Sequence, residues 1–200
     1  MSARACLANA SAALALCAAA LVWRAPLTAL MSTHMLVQIP LLVLAGVCAE
    51  QAWRAGRDRV PRGDSGGRSA AWSYNEYGMP GLLFVSLVGA CWMVPRALDE
   101  ALIDWRMAAF KVLGLPVAGW ILRASLRRSN TVVKLFFLGN FCWMGAIAGL
   151  IYQDQPVRLC NAYLQDDQAW TGNGLIALSI ALPALWLLAR IGPVWRYLNR

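Results

Sequence analysis

The stretch Val132-Val-Lys-Leu-Phe-Phe-Leu-Gly-Asn-Phe-Cys-Trp-Met-Gly-Ala-Ile-Ala-Gly-Leu-Ile-Tyr152 holds a single charge, Lys134, near its start. As a helix it rises about 30 Å, the thickness of a bilayer's hydrocarbon core. Backbone N–H and C=O groups cannot go unpaired in lipid, so such a run must be helical; a barrel would show short alternating strands instead. Working outward, five further runs are apolar enough to span, at residues 7–23, 27–48, 80–94, 107–122 and 171–189. The fold class this predicts is all-α: a polytopic transmembrane helix bundle of six spans, forming one transmembrane domain over residues 1–200.

Composition agrees. The chain is 60% hydrophobic and 14% charged, against about 45–50% and about 25% in soluble domains. The lipid bilayer is therefore the first partner. A net charge of +8 raises nucleic acid as a second, but the basic residues sit between apolar runs rather than along one soluble face, so no nucleic-acid partner is expected. Topology explains them better. With the N-terminus inside, most of the 18 basic residues fall in the cytoplasmic pieces, among them Arg54, Arg57, Arg59, Arg62, Arg68, Arg123, Arg127 and Arg128. The expected location is a bacterial inner membrane, with both termini cytoplasmic and a flexible cytoplasmic loop over residues 50–78 that contains Arg62-Gly-Asp-Ser-Gly-Gly67. Arg4 ahead of an Ala/Leu-rich stretch also fits a signal peptide, whose cleavage would leave five spans.

The outer face is the acidic one. Between the third and fourth spans, Leu98, Leu102 and Trp105 recur at helical spacing within residues 96–106, which predicts a short interfacial helix. Asp99 and Glu100 on it read either as a solvated face or as a mouth that attracts cations or docks a periplasmic partner. Residues 157–164 of the last outer loop read as a short surface helix. Cys160 falls there, outside the spans, where a disulfide with Cys91, a soft metal ligand or an unpaired thiol are all open. Cys17, Cys48, Cys91 and Cys142 lie within or at the ends of apolar runs, and most of them read as buried packing residues. Lys111 lies inside an apolar run, where an ionisable group is costly and usually faces the protein interior, with Asp104, seven residues earlier, sharing its face as a plausible partner; snorkelling to the outer surface is the equal alternative. Asn140 and Asn173 can hydrogen-bond between helices. No phosphate loop, nucleophile with a paired base or bis-histidine haem arrangement is present, so the chain is not expected to be an enzyme.

The lone histidine marks the most specific pattern. Met31, His34, Met35 and Gln38 stand at i, i+3, i+4 and i+7 and share one helix face. Two thioethers flanking an imidazole suit soft Cu(I); the same stripe is also ordinary packing. Three ligands from one helix cannot close round an ion, so Met93, Cys160 or Met107 would have to supply another. The run His34-Met35-Leu36-Val37-Gln38-Ile39-Pro40 resembles the His-Met-x-x-Gln/His stretch of the CtaG-type (caa3-associated) cytochrome c oxidase assembly factors, over one helix of six. That resemblance implies a membrane factor for biogenesis of a copper-dependent respiratory oxidase, with the oxidase or a copper chaperone as partner. On this reading copper is handled through Met31, His34, Met35, Met93 and Cys160. The rivals are a small transporter, with Lys111, Asp104 and Asn140 lining a polar path, and a structural accessory subunit of a membrane complex.

Overall fold

A computed structural model describes residues 3–57, 75 and 77–198, with side chains no further than Ala189. Nine α-helices and one π-helical turn make up the described chain: α1 (Ala3–Val22), α2 (Arg24–Leu27), α3 (Met31–Thr33), the π turn (His34–Gln38), α4 (Ile39–Arg57), α5 (Met79–Trp92), α6 (Pro95–Ile103), α7 (Trp105–Arg128), α8 (Thr131–Asp154) and α9 (Gln165–Leu198). Five helices, counting α3, the π turn and α4 as one, are long and apolar enough to cross a membrane, and α5 with α6 would make a sixth if that bent pair counts as one span. The all-α bundle read from the sequence is the observed fold.

Its boundaries differ in two places. Helix α4 runs to Arg57, so the first residues assigned to the loop over 50–78 are helical, because Glu50 and Arg54 pair one turn apart at 3.1 Å and no Gly or Pro lies between Gly46 and Gly56. Most of that loop, including Arg62 to Gly67, lies outside the described residues. The predicted interfacial helix is α6, bent 76° from α5. Pro95 opens it, and a proline disfavours helical geometry at the residue before it, here the extended Val94. Leu98 and Ala101 are buried, whereas Trp105 starts α7 and is exposed.

Two helix pairs organise the bundle. Helices α8 and α9 pack at glycine: a Cβ on Gly149 would meet the Gly172 carbonyl and one on Gly172 the Gly149 carbonyl. Helices α4 and α7 run parallel, and they approach so closely that a Cβ on Gly46 would overlap the Pro116 carbonyl and one on Gly119 the Val43 carbonyl. Small residues permit this backbone approach, which is how helices associate where lipid supplies no hydrophobic drive. The α4/α7 pair then carries polar residues at both ends: His34 and Lys111 at the end covered by α6 and residues 155–164, hereafter the cap end, and Glu50 and Arg123 at the other.

The cap is fastened by two carboxylates. Asp99 on α6 is buried and accepts from the backbone N–H of Asn161 at 2.7 Å and of Ala162 at 3.3 Å. Asp167 on α9 accepts from Met31 N–H, from Ser32 Oγ at 2.7 Å and from Ser32 N–H at 3.3 Å. The helix predicted at 157–164 is absent for the same reason: its backbone donors are taken by side chains, with Leu159 N–H donating to Gln168 Oε1 at 2.9 Å, and the segment is irregular. Asp99 is thus a fastening inside the cap, while Glu100 beside it forms the exposed pair with Arg96 at 2.9 Å.

Candidate functional site

A polar chain is buried where the π turn meets α7. Lys111 is 2% exposed and His34 0%. Lys111 Nζ lies 2.7 Å from His34 Nε2 and donates to Gln38 Oε1 at 2.9 Å; Gln38 Nε2 donates to the Ala20 carbonyl at 3.0 Å. On the other side of the ring, His34 Nδ1 lies 2.6 Å from Tyr163 Oη, which donates to the Thr28 carbonyl at 3.2 Å. A phenol has one proton, so the bond to Thr28 makes Tyr163 the acceptor toward His34, and Nδ1 must carry the ring proton. Nε2 is then left to share a proton with Lys111. The run Lys111–His34–Tyr163 joins three separate parts of the chain, and it is positioned by the π turn, a local widening that recurs at functional sites in helices.

The electrostatics of its cap end are legible. Tyr163 is held in its phenol form because burial, and then the neighbouring Cys160, Asp99 and Asp167, all push its proton affinity up. Cys160 is 1% exposed, its thiol donating to the Pro95 carbonyl at 3.3 Å, and burial followed by the Asp99 carboxylate pushes it up to about 12. It is a free thiol, as is the exposed Cys91, so the disulfide left open by the sequence is not formed. Nor is Cys160 on the outer surface for a reagent to reach. Because the thiolate is the nucleophile, alkylation of Cys160 in the native protein is expected to stay negligible at neutral pH and to go on rising with pH, without the levelling above about pH 9 that an ordinary thiol shows. In denaturant the same residue should react as an ordinary cysteine; prompt native labelling at pH 7, read by mass spectrometry, contradicts the burial.

Of the residues singled out by sequence, the structure gathers most. Met31, Met35 and Cys160 share one buried core cluster with Leu98, Tyr152, Tyr163 and Leu175, and Met93 packs against it. His34 adjoins that cluster through Tyr163. Met107 packs against a different cluster, around Leu42 and Trp92. The Lys111–Asp104 pairing is not formed: Asp104 is the extended residue ahead of α7, exposed, with its carboxylate taken by Arg106 N–H at 2.9 Å. A seven-residue repeat carries a shared face only within one helix, and Asp104 stands outside it. Asn140 is exposed on α8, its amide near Met144 Sδ, and takes no part in a path with Lys111. Asn173 does bond between helices, accepting from Gln153 Nε2 at 3.1 Å. Tyr163, Asp167 and Gln168 went unremarked as site residues; the one signal for them was the clustering of Tyr, Asp and Gln just before an apolar run.

No family model, no curated protein and no solved structure matches this chain. The site is read from its own chemistry.

Proposed function

We propose that this chain is a small proton-linked membrane transporter in which Lys111, His34 and Tyr163 relay the proton. The observation that supports it is the continuous hydrogen-bonded run from Lys111 Nζ through both nitrogens of His34 to Tyr163 Oη, buried beside apolar spans. Ionisable groups inside spans characteristically mark ion and proton pathways. A proton passes from Nζ to Nε2; the proton on Nδ1 leaves for the Tyr163 oxygen, and the phenol proton, which faces the Thr28 carbonyl, is released to solvent beside that half-buried residue. Imidazole suits this step because its two nitrogens can exchange donor and acceptor roles. The test uses protein in vesicles with an entrapped pH dye, driven by a potassium diffusion potential. Proton uptake should exceed that of protein-free vesicles, and Tyr163→Phe, which keeps the ring and loses the relay oxygen, should cut the excess at least tenfold. Uptake equal to the blank rules the relay out.

A second reading has its own support. Sulfur side chains from positions 31, 35, 93 and 160 converge on the cluster described above, and soft thiolate and thioether donors suit Cu(I). Both ring nitrogens of His34 are already engaged, so a copper site would rest on Met31, Met35, Met93 and Cys160, with His34 behind them. This is the assembly-factor reading, with an oxidase or copper chaperone as partner. It requires that Cys160→Ser lower the Cu(I) content of the purified protein to that of a copper-free control.

A further inference from the structure

We infer that Glu50 and Arg123 form the opposite-end latch of the α4/α7 pair, made when the Lys111 contact at the cap end is broken. The inference rests on the transporter reading above and adds a moving part to it. Glu50 is 3% exposed. Its Oε1 pairs with Arg54 at 3.1 Å, but among the described residues its buried Oε2 has no hydrogen-bond partner, and neither has the buried Nε of Arg123. An unpaired buried acceptor and an unpaired buried donor each cost more than an unmade surface bond, and their chemistries are complementary.

Their placement brings them together. Glu50 follows Gly46 by four residues and Arg123 follows Gly119 by four, so each lies on the helix face that its glycine presents to the other helix. The Gly46/Pro116 and Gly119/Val43 approaches are the closest between the two helices that their glycines mark. On the cap side of that crossing, the polar contact between α4 and α7 is complete: Lys111 to His34 and through Gln38 to α1. On the far side its counterpart is unmade. Two parallel helices touching at a glycine fulcrum can tilt, and tilting that opens one end closes the other. The observed structure is then the cap-closed state. In the alternate state Arg123 Nε donates to Glu50 Oε2 while Arg54 keeps Oε1, and the Lys111 site opens toward the cap.

The test measures the fulcrum directly in the full chain. Spin labels attached through an unnatural ketone side chain at positions 57 and 127, beyond the latch on α4 and α7, leave the native cysteines intact. The wild type should give one dominant distance. Lys111→Met, or Gln38→Leu should the first variant not fold, should raise a shorter population several-fold. Adding Glu50→Gln should remove that population, and the exchange Glu50→Arg with Arg123→Glu should restore it. A distribution that does not change on loss of the cap-end contact overturns the latch, as does a short population that survives Glu50→Gln. Proton uptake with a fixed distance would spare the relay and dismiss only the latch; a responsive distance without proton uptake would do the reverse.

Discussion

Asp167→Ala should lower the unfolding midpoint in detergent far more than any change on the lipid-facing sides of α8 and α9. The Asp167 carboxylate is 8% exposed and serves three donors at the start of α3: Met31 N–H, Ser32 N–H and Ser32 Oγ. Hydrogen bonds to an ionised acceptor contribute about 1.5–3 kcal/mol each, and because these three share one group they do not add independently. A loss of about 3 kcal/mol is therefore expected. Leu187, 57% exposed on α9, offers the comparison: Leu187→Ala trims a largely exposed side chain and should shift the midpoint little. Asp167→Asn should fall between, since one amide oxygen still accepts while the NH₂ faces a donor. The segment that Asp167 holds leads directly into His34, so proton uptake should fall together with stability. Equal midpoints for Asp167→Ala and Leu187→Ala would show that the cap is held elsewhere.

The spans were readable because lipid imposes one rule on every residue in them, and that rule is written in local composition. The Met31/Met35 face was readable too: helical spacing put both on one side, and both are buried in the same cluster. What the sequence did not disclose is which distant groups meet. Lys111 had a near carboxylate at Asp104 and a far imidazole at His34, and only the register of α4 against α7, set by glycines 46 and 119, decides for the histidine. The π turn adds a residue to the helical repeat at that point, and nothing in His34-Met-Leu-Val-Gln38 announces it. Asp99 and Asp167 were hidden for a different reason. Their partners are mostly backbone N–H groups, of an irregular segment for Asp99 and of the first turn of α3 for Asp167, and backbone donors have no sequence signature at all. Residues 157–164 show the cost of local reasoning: amphipathic spacing predicts a helix, and two side chains from elsewhere, Asp99 and Gln168, take three of its donors first.

Lys111→Met separates a working relay from a structural tie, because the two assign opposite signs to stability. Nζ meets two neutral acceptors, His34 Nε2 and Gln38 Oε1, and no carboxylate forms an ion pair with it among the described residues. A buried charge without an opposite charge costs several kcal/mol. Removing the ammonium relieves that cost while leaving two acceptors unpaired, at about 1–3 kcal/mol each by the ordinary measure for such groups. Gln38 can recover part of this by turning its amide, and methionine fills the same unbranched volume. The balance predicts a midpoint unchanged or raised in Lys111→Met, together with proton uptake reduced to that of empty vesicles. His34→Phe is the complement: it leaves the ammonium buried with one acceptor fewer, so both stability and uptake should fall. If Lys111 served only to tie α7 to the π turn, Lys111→Met would destabilise as much as His34→Phe. A midpoint lowered in step with His34→Phe, with the proton uptake of folded protein intact, would therefore remove Lys111 from the relay and return it to packing.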